Sequence, residues 1–206
     1  MLLTVKNLCV SRGPRLLLTE LNFGLVAGEA LILKGPNGLG KTSLLRTLAG
    51  LQPAVQGTLE VKKDCAIYLG HADGIKNSLT VFENMKFWAD LFDSQALLSK
   101  ALEVYDLHSI RRSFAGRLSA GQKRRLSLSR LTLSKRPVWL LDEPTVSLDC
   151  ASCTAFFKII RAHLTCGGAA VIVTHSDLNF IEKSTQIDLL AYRPEQWLEQ
   201  KEEIFL

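Results

Sequence analysis

The sequence predicts an α/β fold with a mainly parallel central sheet. Short, continuous apolar runs read as strands buried on both faces: Ala30 to Leu33, Cys65 to Leu69, Val138 to Leu141 and Ala169 to Val173. Between them lie segments whose apolar residues recur at helical spacing. The first run opens into a glycine-rich loop and then a helical stretch, a strand–loop–helix order that α/β folds use to bind phosphate groups. The 206 residues are expected to form a single domain over 1–206. Within it, the sequence predicts a small N-terminal antiparallel β region and a helical subdomain at about 75–125.

The elements follow in order. Val5 and Leu8 to Val10 form a strand, Arg12-Gly13-Pro14-Arg15 a turn, and Leu16 to Leu25 a second extended segment. Gly28-Glu29 turns into the strand Ala30 to Leu33, and Ser43 to Ala49 is helical. Gly50 to Gly57, with Pro53 inside, ends that helix and returns the chain to a strand at Thr58 to Val61. From Thr80 to Ile110 the spacing is helical, with Val81, Met85, Trp88, Leu91 and Phe92 on one face as core residues. Lys123 to Leu133 and Ala151 to Leu164 are the later helices, the last broken by Gly167-Gly168.

The loop is Gly35-Pro36-Asn37-Gly38-Leu39-Gly40-Lys41-Thr42-Ser43, a match to G-x-x-x-x-G-K-[ST]. Gly35, Gly38 and Gly40 let the backbone turn tightly and aim N–H groups at a polyphosphate. Pro36, Asn37, Leu39 and Ser43 complete the cradle. The helix N-terminus adds partial positive charge. Lys41 reaches the β- and γ-phosphates and Thr42 offers a hydroxyl to Mg²⁺, so the expected ligand is MgATP or MgGTP.

Val138 to Leu141 ends in Asp142-Glu143-Pro144. A buried strand of this kind delivers Asp142 to the Mg²⁺ side of the loop, and Glu143 to a place where it orients or deprotonates an attacking water. Ahead of the helix at Lys123 stands Leu118-Ser119-Ala120-Gly121-Gln122. Ser119 is suited to an N-cap and Gly121 to close backbone approach. Lys123, Arg124 and Arg125 then fall in the first turn, where cations oppose the helix dipole, so that helix end either faces an anion or carries solvated basic residues.

Bulk properties restrict the setting. Net charge is +5, and nine basic residues crowd between Arg111 and Arg136. Without aromatic interleaving, a solvated face, or one turned to anionic lipid or a partner, fits that run better than a nucleic-acid surface. No apolar run reaches the ~18 residues of a membrane span, and the N-terminus reads as a strand rather than a signal peptide. Five cysteines, an odd number, suit reduced thiols. Cys150-Ala151-Ser152-Cys153 reads as a helix start more than as a metal or redox pair.

Taken with Val146-Ser147-Leu148-Asp149 and Val173-Thr174-His175, these segments make the sequence resemble the ATP-binding-cassette (ABC) ATPases over nearly its whole length. Leu118 to Gln122 matches that family's signature segment, Asp142-Glu143 its Walker B end, 146–149 its D-loop and His175 its switch histidine. The resemblance implies ATP and Mg²⁺ as cofactors, and a head-to-tail homodimer in which Ser119 and Gly121 reach the γ-phosphate held by the other subunit. It also implies that His175 touches the same phosphate from its own chain.

Tyr68-Leu69-Gly70-His71, Gly74-Ile75-Lys76 and Leu79 to Met85 narrow the likeness to the ATP-binding subunits of haem exporters in cytochrome c maturation. That implies CcmB-like and CcmC-like integral membrane partners, no nucleic acid, and a peripheral place on the cytoplasmic face of the inner membrane. Haem movement and release of a haem-carrying chaperone both remain open as the driven step. No cluster of His, Met or Cys reads as a haem site on this chain. A non-transport clamp and an ATP-dependent phosphotransferase are the competing classes; the first usually carries two cassettes or long insertions.

Two positions depart from the family pattern. Ala72 stands where a glutamine usually contacts Mg²⁺ and signals to the membrane subunit, leaving Asp73, His71 or a water in its place. Ser11 to Pro14 lacks the usual adenine-stacking aromatic, so Arg12 either stacks its guanidinium on the base or is a solvated turn residue.

Overall fold

The computed structural model describes residues 1–174, 181 and 183–194. Two sheets organise them. The larger has five strands, β3 (Ala30–Lys34), β5 (Ala66–Leu69), β6 (Val138–Asp142), β7 (Ala169–Val173) and β8 (Ser184–Asp188). Their spatial order is β5-β6-β7-β3-β8, and every pairing is parallel. The smaller sheet is antiparallel and places β1 (Leu3–Arg12) between β2 (Arg15–Leu25) and β4 (Gln56–Val61). The predicted strand at Thr58 to Val61 therefore joins the N-terminal β region. A two-residue turn links β1 to β2, with Gly13 at φ +60° where side chains are strained.

The buried strands alternate between two cores. Leu31, Leu33, Val138, Leu140, Val171 and Val173 face the small sheet and helix α1 (Lys41–Leu48). Ile32, Leu69, Leu141 and Ile172 face the opposite side, against α2 (Val81–Leu91), α3 (Leu98–Val104), α4 (Ala120–Ser134) and α5 (Cys150–Thr165). Strands covered on both faces need no polar alternation, which is why they read as unbroken apolar runs.

The helical stretch expected over Thr80 to Ile110 is interrupted. α2 ends at Leu91 with Phe92 as its C-cap, Asp93 adopts φ +49°, and a 3₁₀ turn at Gln95–Leu97 leads into α3. Aspartate tolerates that left-handed geometry better than most residues, so Asp93-Ser94 is the local stop. At its start α2 carries a capping box: the Glu83 N–H donates to Thr80 Oγ1 (3.2 Å) and the Thr80 N–H to Glu83 Oε2 (2.7 Å). α4 starts at Ala120, three residues earlier than expected. Ser119 caps it, its Oγ accepting from the Gln122 N–H at 3.2 Å while the Ser119 N–H donates to Gln122 Oε1 at 3.0 Å. Lys123 to Arg125 consequently lie one turn inside the helix. α5 begins at Cys150 behind Asp149, whose carboxylate accepts from the Ser152 N–H at 2.7 Å.

One half-buried histidine gives the fold a pH dependence. The His163 ring stacks on Trp139 with centroids 3.7 Å apart and planes 9° from parallel. Its Nε2 lies 3.1 Å from the Pro137 carbonyl oxygen and 3.3 Å from that of Ala169, which fits a neutral ring donating from Nε2. Burial pulls its pKa below the usual 6.5. The unfolded chain then binds the proton more readily than the fold, so stability falls as pH drops below about 6.5 and levels off below the folded value. Melting temperature should decline from pH 7.5 to pH 5, and His163→Gln should flatten that slope. An unchanged slope in the variant would remove His163 as the cause.

Candidate functional site

The register of the parallel sheet brings the two chemical segments level. Leu33 of β3 and Asp142 of β6 both pair with Val173 of β7, so the chain leaves β3 and β6 side by side at the carboxyl edge with one strand between them. Open α/β sheets bind ligands along this edge. The loop after β3 wraps the N-terminus of α1, where Gly40 at φ +112° is the cap. A Cβ at Gly40 would sit 3.0 Å from Leu17 Cβ, so both the conformation and the packing demand glycine.

Thr42 and Asp142 come into direct contact at this edge. The Thr42 hydroxyl donates to Asp142 Oδ2 at 2.7 Å, across a separation of 100 residues. Asp142 is 4 % exposed. Two hard oxygen donors held together suit Mg²⁺, which favours one or two carboxylates beside phosphate and water oxygens. The Lys41 ammonium lies across the loop and donates to the carbonyls of Gly35 (2.6 Å) and Pro36 (3.1 Å). Burial lowers its pKa, and the charges of Glu143 and Asp142 oppose that shift. Glu143 has φ +47°, and its N–H donates to the Val173 carbonyl at 2.9 Å.

A cavity of about 440 Å³ opens over this group. Asn37, Gly38, Gly40, Lys41, Thr42, Ser43, Asp142, Glu143 and Arg12 line it, all expected from the sequence. So do Arg15, Leu17, His71 and Val173, which were not assigned to the pocket. Arg15 had a visible signal, because Gly13-Pro14 folds it back beside Arg12. His71 reaches the lining where Ala72 does not. Tyr68 was not assigned to the site, yet its hydroxyl donates to Asp142 Oδ2 at 3.4 Å. Burial, helped by the Asp142 charge, pushes its pKa up to about 12, so it stays a donor at any working pH.

Ser119 and Gly121 do not line this cavity. A Cβ at Gly121 would lie 3.0 Å from the Ser147 carbonyl oxygen, so α4 starts against its own chain's 146–149 segment. His175 lies outside the described residues. Within the basic run after Gln122, Arg124 departs from both expectations. Arg124 is 4 % exposed and Arg130 is buried, neither solvated nor turned to an outside anion. Arg124 instead donates to backbone carbonyls and to Asp73 inside the chain. Arg130 packs 5.0 Å over the Trp88 ring, and burial lowers its pKa to about 10.

A family model described as ABC transporter matches residues 18–146. The chain belongs to the ABC transporter family. Among curated ABC relatives, a "Cytochrome c biogenesis ATP-binding export protein CcmA" of Paracoccus denitrificans is 54% identical over 181 residues, covering 88% of this chain and 86% of that protein. A protein of the same name from Cereibacter sphaeroides is 50% identical over 193 residues, covering 94% and 91%. The fold also matches a solved ATP-binding subunit of an ABC transporter, with a TM-score of 0.81 at 22% identity over 91% of this chain and 86% of that one. A dimeric ATP-binding cassette in a post-hydrolysis state, bound to ADP and Pi, superposes with a TM-score of 0.76 at 19% identity, over 90% and 94%. The chain is thus an ABC ATPase whose cofactors are ATP and Mg²⁺. Among its described residues, no helix is long and apolar enough to cross a membrane.

Proposed function

We propose that this ABC ATPase is the ATP-hydrolysing subunit of a membrane complex that exports haem, or releases a haem chaperone, in c-type cytochrome biogenesis. The observation that carries the proposal is the 54% identity to an export protein of cytochrome c biogenesis, extending over nine-tenths of either chain to within a few per cent. The site supports the hydrolytic half. Lys41 holds the phosphates of ATP, Thr42 and Asp142 hold Mg²⁺, and Arg12 lies against the nucleotide base. Mg²⁺, when bound, offsets phosphate charge during transfer to water. Glu143 accepts the proton of the attacking water, and His175 steadies the γ-phosphate from its own chain.

The active form is a head-to-tail homodimer. Ser119 and Gly121 do not line their own chain's cavity, in keeping with service to the ATP held by a second copy. CcmB-like and CcmC-like integral membrane proteins are the partners, and the chain rests on the cytoplasmic face of the inner membrane. His71 takes part of the place left by Ala72, because it lines the same cavity as Thr42 and Asp142.

The test is purification of a tagged chain from detergent-solubilised membranes. Integral membrane proteins should co-purify, and their removal should leave cells without mature c-type cytochromes. Recovery of all the chain from the soluble fraction, with no membrane protein attached, would sink the reading.

A further inference from the structure

Arg124 presents a demand that a simple core residue does not. An arginine side chain has five N–H donors in a fixed plane and none can be shed by titration near neutral pH. Here all five find partners. Nε donates to the Pro144 carbonyl at 3.1 Å, and Nη2 to the carbonyls of Asp142 (3.2 Å) and Glu143 (2.8 Å). Nη1 donates to the Gly70 carbonyl at 3.0 Å and to Asp73 Oδ1 at 3.2 Å.

Three of these acceptors are consecutive residues of the turn that carries Glu143. That turn is strained: Glu143 at φ +47° occupies a region that costs a residue with a side chain about 1 kcal/mol or more. Such a geometry persists only when its surroundings over-determine it. The Val173 carbonyl fixes the Glu143 N–H from one side, and Arg124 fixes three carbonyls from the other. The remaining two acceptors belong to residues 70–73, which follow β5 and lead toward α2. Ser127, one turn along α4, donates to the Asp73 carbonyl at 3.0 Å and reinforces the same junction. Gly74 is needed there as well, since a Cβ would come within 2.8 Å of Arg130 Nη1 at a φ of +62°.

We propose that Arg124 is a positioning residue for ATP hydrolysis: its guanidinium sets the Asp142–Pro144 turn that presents Glu143, and couples that turn to the 70–73 segment. Arg124 acts within its own chain, although Ser119, five residues earlier, serves the other copy. The segment it grips contains Ala72, so a movement of residues 70–73 reaches Glu143 through Asp73 and Arg124 without a glutamine side chain.

The inference rests on the role proposed for Glu143, and the experiment separates the two. Single-turnover hydrolysis and ATP dissociation constants are measured for the parent, R124K, D73N, E143Q and R124K/E143Q. R124K should hydrolyse at least tenfold more slowly with an ATP dissociation constant within threefold of the parent. D73N, at a carboxylate 29 % exposed, should fold and show a smaller loss of the same kind. R124K should add nothing to the loss caused by E143Q, because it acts through that residue. Additive losses, a parallel fall in ATP affinity, or an R124K rate within twofold of the parent would overturn the proposal. An E143Q rate equal to the parent would remove the role of Glu143 and the inference with it. If R124K does not fold, D73N and D73N/E143Q decide by the same criterion.

Discussion

Glu143→Gln is expected to bind ATP as the parent does and to hydrolyse it at least a hundredfold more slowly. The amide keeps the shape of the side chain and removes its ability to take a proton, and general-base catalysis contributes about 10²- to 10⁴-fold. The backbone should not move: it is pinned by the Val173 carbonyl at the N–H and by Arg124 at the carbonyl. With binding intact and turnover blocked, ATP should accumulate a dimer, visible as a shift to twice the mass on size exclusion with MgATP. Parent-like turnover would end the assignment of Glu143 as base, whatever the dimer does.

Lys41→Ala should abolish ATP binding at millimolar concentration. Hydrogen bonds to charged groups contribute about 1.5–3 kcal/mol each, so losing two to phosphate oxygens weakens binding by a hundredfold or more. A second effect adds to this. The ammonium donates to the Gly35 and Pro36 carbonyls, so its removal also loosens the loop that presents the backbone N–H groups. Titration with a fluorescent ATP analogue measures the result, and binding within tenfold of the parent would contradict it. The two variants thus part company: Lys41 governs whether ATP is held, Glu143 whether it is used.

Much of this was legible because a chemical motif leaves a local record. The phosphate loop is contiguous, and Asp142-Glu143 ends an apolar strand, so spacing alone named both. Their meeting was inferred from an apolar strand ending in acids beside a phosphate loop, but the strand between them, β7, and its register are carried by no local pattern. Arg124 was misread for a definite reason. Lys123-Arg124-Arg125 looks like a solvated run, and only the fold shows that the middle residue points into five acceptors while its neighbours do not share its burial. The break at Asp93 was missed because α2 and α3 keep apolar residues in helical phase across it. β4 was found as a strand, but its partner β1 lies about fifty residues earlier, beyond any window of periodicity.

The position of β7 has a consequence for how the protein comes into being. β3 and β6 are both synthesised before Ala169–Val173, yet they flank that strand and do not pair with each other. A nascent chain stopped short of Ala169 holds the phosphate loop and both acids but lacks the strand whose register levels Leu33 with Asp142. Competence to use nucleotide therefore arrives late in translation: a prematurely ended chain carries the phosphate loop, Ser119, Asp142 and Glu143 while lacking both its keystone and His175.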